Sequence, residues 1–79
     1  MHTPEIILQA LLVGWNQWPE RVGDDWERLL PDIQRLIDAI ATSDDEDERA
    51  LLADELLDLF RPYPRAWRHL SAAIRDIER

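Results

Sequence analysis

Between Trp26 and Ile40 the apolar residues fall at steps of three and four: Trp26, Leu29, Leu30, Ile33, Leu36, Ile37 and Ile40. At 3.6 residues per turn this spacing gathers them within about 120° of one circumference, the mark of an amphipathic helix with one buried side. The pattern predicts a helix over 25–41. Pro31 projects from its opposite, polar side and kinks it, or divides it near Leu30. Two later segments follow the same rule. Leu52, Ala53, Leu56, Leu57, Leu59 and Phe60 mark a helix over 46–60, and Ala66, Trp67, Leu70, Ala73, Ile74 and Ile77 mark one over 64–78. The first segment differs. In a helix over 4–16, Ile6, Ile7, Leu8, Leu11, Leu12, Val13 and Trp15 cover nearly the whole circumference, leaving Glu5, Gln9 and Asn16 as a narrow polar strip. Such a helix is expected at the centre of its domain, or with one side against a second molecule. The fold expected is all-α, a compact bundle of about four main helices with an extra turn near Pro19.

The residues between these segments support the division. Thr3, Pro4 and Glu5 supply an N-cap, a first-turn proline and an acid at the positive end of the helix dipole. The stretch QWPERVG is expected to make one loose turn before Gly23. In DDWE, Asp24 and Glu27 have the spacing of a capping box. TSDDEDE is a charged loop whose acids stand before and inside the next helix's first turn, where the dipole favours them. It lacks the glycine and ligand spacing of a calcium-binding loop. Pro62 stops the helix over 46–60, Pro64 opens the last one, and Tyr63 is placed to pack across the joint.

Composition narrows the functions available. The 79 residues allow one domain, and its few flanking residues lead to the expectation of a domain cut from a longer chain. There is no cysteine, hence no disulfide, thiolate nucleophile or thiolate metal site. No Gly-rich phosphate loop is present, Ser43 and Ser71 lack a patterned histidine partner, and His2 and His69 make no ligand pair. Neither a catalytic residue nor a metal or cofactor is therefore expected. Nothing resembles a secretory signal, and IILQALLVGW is too short to span a bilayer, so the expectation is a soluble cytoplasmic protein.

Charge changes the picture more. The net charge is −8, which opposes binding of nucleic acid or an anionic membrane. Residues 1–60 hold 15 acids against 4 arginines, whereas residues 61–79 hold 2 acids against 5 arginines, and lysine is absent. The helical repeat sorts these charges onto faces. On the helix over 46–60, Asp47, Asp54 and Asp58 line one side, flanked by Glu48 and Glu55, with Leu51 in their midst. On the last helix Arg65, Arg68, Arg75 and Arg79 share an arc of about 80°, with Ala72 among them. RPYPRAWRH mixes basic and aromatic residues as a nucleic-acid grip would, but its Trp67 faces the core, which leaves no stacking platform beside the arginines. His69 falls at the edge of the arginine face and reads as a surface residue. The two faces are either plain solvated surfaces or complementary patches that join copies head to tail or dock a related domain.

WERLLPDIQRLIDAI followed by LLADELLDLFRPYP resembles the small all-helical, death-like effector-associated domains of bacterial conflict systems, over most of residues 20–70. The resemblance implies an adaptor carried beside NTPase, caspase-like or trypsin-like protease, and repeat modules. Such an adaptor recruits an effector through homotypic or paired domain contact. The resemblance marks no binding residue. The expected function is protein–protein interaction, with the partner another protein domain, either a second copy or a related helical domain. A small acidic inhibitor of the antitoxin kind is the alternative, and a nucleic-acid binder using the last helix's arginines is a weaker one.

Overall fold

A computed structural model describes residues 3–79 as five α-helices: α1 (Pro4–Leu12), α2 (Trp18–Val22), α3 (Asp25–Thr42), α4 (Glu46–Phe60) and α5 (Pro64–Glu78). A 3₁₀ turn at Trp15–Gln17 links α1 to α2, and the described residues contain no strand. His2 lies outside the described residues. The fold is all-α, with one helix more than periodicity predicts. The bounds of α4 and α5 are those expected from their apolar spacing. α3 is a single helix that runs through Pro31, whose side chain is exposed, so the chain is not divided at Leu30.

The first helix ends four residues early. Val13 is extended, at φ −67° and ψ 121°, and Gly14 is left-handed at φ 69°, a conformation that only glycine adopts without steric cost. The break lets the chain turn back, and the segment expected as a loose turn becomes α2. A five-residue helix has no stability of its own. α2 exists because Trp18 and Val22 are buried and because the Trp18 indole Nε1–H donates to the Leu11 carbonyl at 2.8 Å. That bond satisfies one of the acceptors left free at the end of α1.

Trp18 is the hub of the core. Its ring stacks on Trp26 at 5.4 Å and 12°, leans on Phe60 at 5.5 Å, and meets the edge of His69 at 4.6 Å. Trp15 adds an edge contact to Trp26 at 5.3 Å. Around this hub α2 packs between α3 and α5, α3 lies along α4, and α1 covers α5 and α4. The predicted stripe of α3 is inside, with Trp26, Leu29, Ile33, Leu36 and Ile40 buried, as are Leu56, Phe60, Ala66, Leu70 and Ile74 of α4 and α5. Trp67 and Tyr63 are only partly buried against this core.

The Thr3 cap forms as read, Asp45 supplies a second that the spacing did not single out, and the cap read at Asp24 does not form. Thr3 accepts from the Ile6 N–H at 3.2 Å, and Asp45 from the Asp47 N–H at 2.9 Å. The DDWE capping box is absent: Asp24 is itself helical and its side chain makes no capping bond. Gly23 takes the turn instead, at φ 83° and ψ −146°, and its carbonyl accepts from the Trp26 N–H at 3.0 Å. With the reversal placed at Gly23, Asp24 has no extended backbone from which a cap could reach the first turn.

Candidate functional site

The α5 arginines do not all line one hollow. Arg65 and Arg68 lean toward α2, where Arg21 joins them. Together with His69 and Ala72 the three line a surface recess of about 270 Å³. Gly23 helps to shape it, since a Cβ there would lie 3.4 Å from Arg65 Nη1. No carboxylate lines the recess, and none of its three arginines makes an ion pair with a described residue. Like charges held together without counterions favour an anionic partner. Arg75 borders a second hollow with Leu57, Trp67, Ser71 and Ile74, and Arg79 is exposed at the helix end.

His69 is only partly exposed at the surface. Half-buried, it sets its ring edge-on against Trp18 and forms part of the wall of the arginine recess. Burial first, and the Arg21 cation second, lower its pKa below the ordinary 6.5, so the imidazole is neutral near pH 7. α2 covers it, and α2 is the helix that periodicity does not predict.

A groove of about 350 Å³ continues the recess toward α1. It is lined by Val13, Ala72, Ala73, Asp76 and Ile77, with His69 shared between the two hollows. Leu12 and Val13 stand out at 55% and 61% exposure, so α1 is apolar all round without being buried all round. Its inner side is Ile7, Ala10 and Leu11. The surface is thus basic at the α2 end and apolar at the α1 end. Arg21 and Val13 belong to it, and nothing in α5's own repeat could have pointed to residues supplied by other elements.

On α4 the acidic face is as read. Leu51 is 66% exposed, and Asp47, Glu48, Asp54, Glu55 and Asp58 are all exposed around it. Asp58 is occupied by Arg61 at 2.8 Å, and that guanidinium also stands 5.6 Å over the Trp67 ring. Asp47 sits near the N-terminal end of the bundle, beside the Arg49–Glu5 pair, which ties α4 to α1 at 3.1 Å. Asp54 and Glu55 remain next to Leu51 with no ion pair among the described residues.

Among the described residues no cluster of three or more His, Asp or Glu could hold a metal ion, and no helix is long and apolar enough to cross a membrane. The chain matches no family model, no curated protein and no solved structure.

Proposed function

We propose that this chain is a protein–protein interaction domain of the adaptor kind, which recruits a partner by helical-domain contact through its charged faces. The observation that supports the reading is the recess in which Arg21, Arg65 and Arg68 meet without a carboxylate, running into an apolar groove. Three uncompensated guanidinium groups supply paired hydrogen bonds to carboxylates, and the adjoining apolar surface supplies the water-excluding contact that charge pairs alone lack. The reading also accords with the resemblance to death-like effector-associated domains of bacterial conflict systems. A phosphate backbone would meet the same three arginines, but the net charge of −8 repels it over the rest of the surface.

Binding of partner proteins by the immobilised wild type and by Arg65→Glu with Arg68→Glu tests this. Both side chains are exposed, so the variant should keep its helicity by circular dichroism. Affinity should fall at least about tenfold, through two reversed charges in one contact. If the variant retains partners as the wild type does, or the wild type retains only nucleic acid, the proposal fails.

A further inference from the structure

We propose that the occupant of the arginine recess and its groove is helix α4 of a second copy of this chain, with Leu51 in the groove and the acids that follow it on Arg65, Arg68 and Arg21. This rests on the interaction-domain reading above and names its partner. The chain carries both halves of the contact. One surface is cationic beside an apolar hollow; the other is an apolar side chain beside unpaired carboxylates. Leu51 stands out from the helices that α4 packs against, so no neighbouring helix of its own bundle covers it.

The two helices also share a register. Leu51 and the unpaired Asp54 and Glu55 stand at zero, three and four residues, and Asp58, already held by Arg61, closes the same face at seven, over about 10 Å of helix axis. Arg65, Arg68 and Ala72 span the same seven-residue step on α5. Leu51 lies at the N-terminal end of its set, whereas the apolar hollow lies toward the C-terminal end of α5. Matching apolar to apolar and acid to arginine therefore sets α4 antiparallel to α5. Asp47 then falls toward Arg75 and Arg79. The parallel orientation would instead bring Asp54 and Asp58 against Asp76, which borders the groove. The contact joins two different faces, so each copy keeps one free face of each kind. Repetition gives an open chain or a ring rather than a closed dimer.

The test is light scattering of the eluting full chain over a wide range of concentration, at low and high salt, on the wild type and two variants. One variant is Arg65→Glu with Arg68→Glu. The other, Leu51→Asn with Asp54→Asn, removes the apolar contact and one acid without adding a cation. Wild type should grow beyond a dimer at low salt and return to monomer as salt rises, because each exposed pair lost weakens contact roughly 1.5- to 5-fold. Each variant alone should be monomeric at concentrations where the wild type assembles. An equimolar mixture should stop at a dimer, since only one working junction remains between the two. A mixture that stays monomeric, or variants that assemble like the wild type, would sink the proposal. So would a salt-insensitive dimer, which would point to Leu12 and Val13. A wild type that is monomeric throughout overturns self-pairing alone. The interaction reading then stands or falls on partner retention by the arginine variant.

Discussion

Trp18 joins the break after α1 to the core through two separate interactions, and substitution can divide them. Phenylalanine keeps an aromatic ring between Trp26 and Phe60 but leaves the buried Leu11 carbonyl without its donor. Trp18→Phe is expected to cost about 1–3 kcal/mol and Trp18→Ala about 3–5 kcal/mol, read as shifts in the urea midpoint. An unshifted midpoint for the phenylalanine variant would remove the indole–carbonyl bond from the account of α2. His69 gives a prediction in pH. Its folded pKa is lowered, by burial and then by Arg21, so the folded state prefers the neutral ring. The stability this contributes is complete above the unfolded value of 6.5 and is lost as pH falls through the folded pKa. His69→Gln should therefore flatten the fall in melting temperature between about pH 7 and pH 5. An unchanged slope would show that the ring's protonation is not opposed by folding.

At the scale of elements, the long helices tolerate their irregularities and the short one depends on its surroundings. Pro31 sits inside α3, where it removes one backbone hydrogen bond, yet its exposed side chain contributes no packing. Its replacement by alanine restores the bond and the better helix former, partly offset by a freer unfolded chain. Pro31→Ala is expected to stabilise by about 1–2 kcal/mol, raising the melting temperature by roughly 4–16 °C in a domain of this size. A lowered melting temperature would mean that the backbone conformation proline sets at position 31 is needed for α3 to meet α4. Gly23 is the opposite case. Its φ of 83° with ψ of −146° belongs to glycine, so Gly23→Ala strains the α2–α3 junction by about 1–3 kcal/mol whatever room the side chain finds. The same change should disturb the arginine recess, because Arg65 rests at that point.

Over the whole molecule 17 acids face 9 arginines. With a net charge of −8 and acids crowded on α4, folded copies carry internal repulsion that salt screens. Adding salt should raise the melting temperature of the monomer while it weakens any contact made through the α5 arginines. The two responses have opposite signs, which separates folding from association in one titration. If both rise together, the contact is apolar and the exposed Leu12 and Val13 become its candidates.

The amino-acid sequence alone determined α3, α4 and α5, because a helix that buries one side along its length writes that side into its own spacing. Asp54, Leu51 and the α5 arginines were legible for the same reason: exposure on a helix is a local property of the repeat. Tertiary structure decided the rest. The helix at Trp18–Val22 is too short to have a period, and it forms only where Trp26, Phe60 and the Leu11 carbonyl receive Trp18. Its formation then moved Arg21 to Arg65 and Arg68, covered His69, and shifted the turn from Asp24 to Gly23. A repeat specifies which side of an element is apolar. Which charged groups from separate elements come to share one recess depends on how those sides pack, and packing is a property of the folded chain.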